Sequence, residues 1–158
     1  KHNWGKICYT ANIENKLKME SHLNHNQLSD SKFIEQFKSG LLNPQIFNHE
    51  AHLRLAWLYI AKFGVKQAEK EIQIQLQNFV ETVGAKDKYH KTLTIVAIRI
   101  VNHFMQKSET DSFTNFINEF PQLKSEFKAL VKTHYSFNIF SSDKARTEFI
   151  SPDLLNFE

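Results

Sequence analysis

Apolar residues recur three or four positions apart along most of the chain, between short runs of Ser, Asn, Gly and Pro. That is the period of helices with one buried face. Ala68, Ile72, Leu76, Phe79 and Val83 predict a helix over 66–82, ended by Gly84. Leu93, Ala97, Val101 and Phe104 predict another over 88–105. The stretch His49 to Phe63 is apolar almost all round, with Asn48 as its N-cap and Gly64 as its stop. Shorter helices are expected over 32–38, behind cap candidates Ser29, Asp30 and Ser31, and from Asp111 to the residue before Pro121. Two more run from Gln122 to His134, and from Ser142 or Asp143 to Phe149 ahead of Pro152. Residues 1–28 are polar and weakly patterned, with Ile7, Ala11, Ile13 and Leu17 suggesting one short helix. The pattern predicts an all-α fold: a single bundle of six or seven helices over 29–158, behind a polar N-terminal segment, 1–28. No repeat of fixed period is present.

Composition narrows the class of protein. With 4 Gly and 3 Pro in 158 residues, the chain lacks the turn residues an all-β fold needs. Its single cysteine, Cys8, excludes a disulfide scaffold and a four-Cys zinc module. Fourteen Phe argue against disorder. The charge balance of +3 is mild, and even the densest basic run, Lys124 to Lys132, is diluted by Glu126 and apolar residues, so no nucleic-acid partner is expected. No stretch approaches the ~18 apolar residues that span a bilayer, so no membrane partner is expected either. Lys1 to Met19 lacks the apolar core of a signal peptide. One free Cys and no export signal then suggest the cytoplasm. Because the chain opens at Lys1, Met19 is a second candidate for the natural start. The oligomeric state stays open.

The chemistry to explain is the eight His. At about 100° per residue, His52 lies about 60° from His49, and both share a face with Leu53, Ala56, Ile60 and Phe63. His90 is core-facing by the same projection, alongside Leu93, Thr94, Ala97 and Val101. His134 ends an inward face, where the helix C-terminus favours its protonated form. His103 falls on a solvated side, and His2, His22 and His25 belong to the polar segment. A buried imidazole needs partners for two nitrogens, so convergence in one polar pocket costs less than separate burial. Three readings stand: satisfied core His, a metal-free pocket, or a metal site of His49, His52 and His90. The third admits a divalent transition metal, although His49-Glu50-Ala51-His52 is one residue short of H-E-x-x-H and no inward Glu completes a facial triad. Glu50 and Arg54 are spaced for an i,i+4 ion pair, or Arg54 binds an anion beside the His. Tyr59 is expected to be a half-buried packing residue, or to reach His52 with its hydroxyl.

The run Phe47-Asn48-His49-Glu50-Ala51-His52-Leu53-Arg54-Leu55-Ala56-Trp57 resembles a family of small bacterial proteins without an established activity, whose members read F-x-H-x-x-H-[LV]-x-x-A-W. The family's Tyr-His-x-Thr-x-Thr is matched by Tyr89 to Thr94, and its closing motifs by Tyr135-Ser136, Ser142 to Arg146 and Pro152-Asp153. The resemblance covers about Phe33 to Leu154 and implies that His49, His52, His90, Thr94, Tyr135 and Arg146 matter. From these readings the chain is expected to carry a His-lined central pocket for a small molecule or a metal ion. If it is an enzyme, His90 or His52 is the general base. His49, Thr94, Tyr135 and Arg146 would bind the ligand, with Arg146 on an anionic group. The blander alternative gives Arg146 to Asp153 or to the carbonyls of another helix and makes Ser142 an N-cap. The rival class is a non-catalytic interaction or regulatory module with structurally satisfied core His.

Overall fold

A computed structural model describes residues 24–157. The expected helix within residues 7–17, Cys8, His2, His22 and Met19 lie outside them. Among the described residues there are eight α-helices and no strand: α1 (Asp30–Ser39), α2 (His49–Phe63), α3 (Val65–Thr82), α4 (Lys91–Met105), α5 (Phe113–Glu119), α6 (Gln122–Ser125), α7 (Phe127–Lys132) and α8 (Asp143–Thr147). The fold is an all-α bundle. None of these helices is long and apolar enough to cross a membrane.

Side-chain caps set the boundaries where the sequence offers them. Ser29, Asn48, Ser112 and Ser142 accept the amides of Lys32, Ala51, Asn115 and Ala145, each satisfying one of the orphan N–H groups of a first turn. Gly64 alone joins α2 to α3, at φ 78° and ψ 164°, a region open essentially to glycine. Gly40 ends α1 in the left-handed region, where an added Cβ would lie 2.9 Å from Thr82 Cγ2.

α2, α3 and α4 pack on one another in a triangle, with α1 against α3, α5 and α6 against α2, and α8 against α4. The shared core is rich in Phe: Phe33, Phe37, Phe79 and Phe116 are all 3% exposed or less. Phe37, Phe47 and Phe79 meet with ring centroids 5.1–5.4 Å apart, at the separations aromatic pairs favour.

Two departures from the expected bundle have identifiable causes. The single helix expected over 122–134 is split at Glu126, which has φ −129°. The Leu123 carbonyl, which in a continuous helix would accept the residue 127 amide, instead accepts the His49 ring N–H at 2.9 Å. His49 thus acts as a wedge in the hydrogen-bond ladder. Second, residues 24–29 are tied to α2. His25, assigned by the sequence to the polar segment, is 1% exposed. It is covered because Arg54, 5% exposed, reaches out of α2 to the His25 carbonyl at 2.5 Å, the Leu28 carbonyl at 2.9 Å and Asp30 at 2.7 Å, while lying over the Phe33 ring.

The expected Glu50–Arg54 pair is therefore not formed. Glu50 binds Lys124 at 2.5 Å, with His25 Nε2 at 3.5 Å. Burial pushes the Glu50 carboxyl up, but the Lys124 and Asn26 hydrogen bonds more than offset it, and its pKa ends below the usual value.

Candidate functional site

A cavity of about 480 Å³ lies between α2, α3 and α4. That volume falls within the roughly 300–1,000 Å³ of small-molecule sites. Its walls are apolar, formed by Phe47, Leu53, Ala56, Leu76, Phe79 and Leu93 among others. His49, His52, His90 and Thr94 also line it, as the sequence suggested, together with Lys88 and Tyr89, but no carboxylate does among the described residues. Tyr135 and Arg146 do not reach it.

Convergence on the cavity does not leave all three imidazoles available. His90 is not inside α4 but is its N-cap, with φ −135°. Its Nδ1 accepts the Leu93 amide at 3.0 Å, so the proton is on Nε2, which donates to the Ile139 carbonyl at 2.8 Å. Both nitrogens are thus occupied in the neutral ring. Burial pushes its pKa below 6.5, and Arg146 adds to that, against the pull of the Ile139 bond. Neither the general-base role nor the metal-ligand role expected of His90 is compatible with these two bonds. The helical projection placed His90 inward correctly but could not show that residue 90 precedes the first turn and caps it.

His49 donates its Nε2–H to Leu123, and its ring packs on Phe127 at 4.8 Å. His52 donates Nδ1–H to the Asn48 carbonyl at 2.7 Å, one turn back in its own helix. Its ring stacks on Phe47 with centroids 3.9 Å apart. The side chain is otherwise exposed at the rim of the cavity; desolvation by the surrounding protein lowers its pKa, against the pull of the Asn48 bond, and solvent screening limits the effect. With Nδ1 donating to Asn48, the neutral ring leaves Nε2 as an acceptor, and no described residue hydrogen-bonds it. The metal reading loses its third ligand: no three His, Cys, Asp or Glu side chains are grouped to hold an ion among the described residues.

The other expected ligand-binding residues serve the frame. Thr94 lines the cavity, but its hydroxyl donates to the His90 carbonyl at 2.7 Å. Buried Tyr135 donates to the Ile150 carbonyl at 2.6 Å, and burial pushes its pKa up to about 12. Arg146 caps the carbonyls of Asp87 and Tyr89, at 3.0 and 3.4 Å, rather than pairing with Asp153. Asp153 instead accepts the amide and hydroxyl of Ser136. Tyr59 is buried and donates to Gln75, not to His52. His134 is half-buried, donates to the Leu155 carbonyl at 2.7 Å and stacks on Phe157, pinning the C-terminal segment.

The sequence did not single out Lys88 or Phe127 as cavity residues. Lys88 sits in the turn before His90, where no periodicity marks an inward position. Phe127 is half-buried in α7. Family models, curated proteins and solved structures give no match to the chain, so the site rests on its geometry.

Proposed function

We propose that this protein binds a small, largely apolar molecule in the cavity between α2, α3 and α4, and that His52 is the residue that engages it chemically. The observation that supports this is the His52 ring, fixed by Asn48 on one side and stacked on Phe47 at the exposed rim of an apolar cavity, where its Nε2 is bonded by no described residue. A hydroxyl, amide or acid on the ligand would donate to that nitrogen. Should the protein turn over its ligand, His52 is the general base of the set, because His90 has no free nitrogen and its protonation would break the α4 cap.

A thermal-shift screen of a metabolite library, followed by His52→Phe, tests the reading. Phe keeps the stack on Phe47 and removes the acceptor. Hits are expected to raise the melting temperature of the native protein and to lose that effect in the variant, whose own stability stays near native. Hits that stabilise both proteins equally would refute the role of His52. A screen without hits that perturb the cavity methyls in NMR would refute the pocket reading.

The second reading, an interaction module, draws support from a separate observation: His49, His52, His90 and His134 each donate to a backbone carbonyl. It predicts no cavity ligand and a partner bound over exposed apolar residues such as Leu41 and Ile74.

A further inference from the structure

On the side of α7 the cavity shares its wall with a neighbouring concavity. This second, more open concavity of about 720 Å³ shares three of the cavity's residues, His49, Leu93 and Phe127. Its character is different. Lys124, Lys128 and Lys132 line it, against the single carboxylate of Glu126. Lys124 is held by Glu50, so the cations left to act on a ligand are Lys128 and Lys132. They lie four residues apart, on one face of the α7 region, and neither forms an ion pair among the described residues. Lys128 approaches the Phe140 ring at 5.7 Å, across the same concavity. An apolar cavity thus abuts, across the tilted His49–Phe127 contact, a surface carrying two ammonium groups.

We infer that the ligand is an anionic amphiphile, an apolar chain or ring joined to a phosphate group, with the apolar part in the cavity and the phosphate on Lys128 and Lys132. Two ammonium groups match a phosphate monoester dianion better than they match a single carboxylate. The carboxylate-free lining of the inner cavity raises no electrostatic barrier to an anion at its mouth. This inference rests on the small-molecule reading of the cavity and specifies what that molecule carries.

Calorimetric titration of the full chain with octyl phosphate, octanoate, octanol and inorganic phosphate tests it. Octyl phosphate is expected to bind one-to-one and more tightly than octanoate. Octanol should bind about tenfold more weakly, and inorganic phosphate more weakly still. The double variant Lys128→Gln/Lys132→Gln is expected to bring octyl phosphate to the affinity of octanol and to leave octanol unchanged. Ala97→Phe, which fills the inner cavity, should weaken both. Should that variant fail to fold, NOEs from the probe's terminal methyl to the Ala56 and Ala97 methyls of the native protein make the same test.

Equal binding of octyl phosphate and octanol would overturn the head-group assignment while leaving the pocket reading standing. Loss of affinity in Lys88→Gln instead of the α7 double variant would overturn it as well, by seating the anion at the other cation of the cavity. Binding sensitive to the α7 lysines but not to Ala97→Phe, with no NOE to the cavity methyls, would reduce the site to surface counter-ion attraction. It would overturn the inference, and the His52 screen would then decide the pocket reading separately. Absence of binding by all four probes would also overturn it.

Discussion

Replacing His90 separates the two roles that this residue can be given. A general base is dispensable for folding, so His90→Ala would abolish turnover and leave the protein stable. The geometry predicts the opposite emphasis. Ala removes the acceptor of the Leu93 amide, which costs about 1 kcal/mol as a lost N-cap. It also costs the buried Ile139 carbonyl its shorter bond and leaves it only the Ser142 amide at 3.4 Å, a loss of about 0.5–1.5 kcal/mol. The sum is about 1.5–2.5 kcal/mol. For a chain of this length that is a fall of about 3–10 °C in melting temperature. His90→Asn divides the two terms. Asn is among the best N-caps but is too short to reach Ile139, so it should recover about 1 kcal/mol of the loss. Urea unfolding of the three proteins, followed by far-UV circular dichroism, gives the differences directly. A loss under about 0.5 kcal/mol for His90→Ala, or no recovery with Asn, would refute the structural assignment.

Acid should act through the same bonds. The folded pKa values of His90 and His25 are lowered from 6.5, chiefly by burial. Below pH 6.5 the unfolded chain takes up protons that the folded chain refuses, so the stability contributed by the neutral rings is full above that pH and lost as pH falls. His52 is exposed and its smaller, screened contribution adds little. The two buried rings give a slope of at most about 2.7 kcal/mol per pH unit, and His90→Asn should remove about half of it; pH-dependent urea midpoints check this. At the alkaline end, Tyr59 and Tyr135 have folded pKa values raised from 10.0 to about 12, mainly by burial. Their contribution is full below pH 10 and disappears as pH rises through 12. Ultraviolet titration should show these two ionising well after an exposed tyrosine, and early ionisation of Tyr135 would contradict its bond to Ile150. Arg54→Met should orphan the Leu28 carbonyl and leave the His25 carbonyl only the Leu28 amide, at about 1 kcal/mol or more in all, and speed proteolysis within residues 24–29. An unchanged cleavage pattern would count against Arg54 as the tie.

The long helices were legible because burial writes a period into the sequence. The α2 prediction, His49 to Phe63 behind Asn48, matches in full, and α3 differs by one residue at its start. What escaped was polar and long-range. Nothing near Glu126 marks the break between α6 and α7, because its cause is the ring of His49, far away in the chain. Arg54 and His25 were misread for the same reason: i,i+4 spacing suggests a local partner for Arg54, while its actual partners lie 24 to 29 residues upstream. The projection placed His52 at the cavity correctly, yet could not show that His90, on a similar inward face, is used up as a cap.

The partner of each ring decides which His the protein can lend to a ligand. His49, His90 and His134 donate to carbonyls 74, 49 and 21 residues away, at the α6–α7 break, in the turn before α8 and in the C-terminal segment. At these places removing His49 or His134 orphans a distant carbonyl, and removing His90 leaves Ile139 only its weaker bond from the Ser142 amide. His52 donates only to Asn48, four residues back in the cap region of its own helix, so its loss loosens no connection between elements. It is the one imidazole of the four whose substitution should be nearly free for the fold. If His52→Phe proves as destabilising as His90→Ala, the ring is another staple, and the interaction-module reading gains what the pocket reading loses.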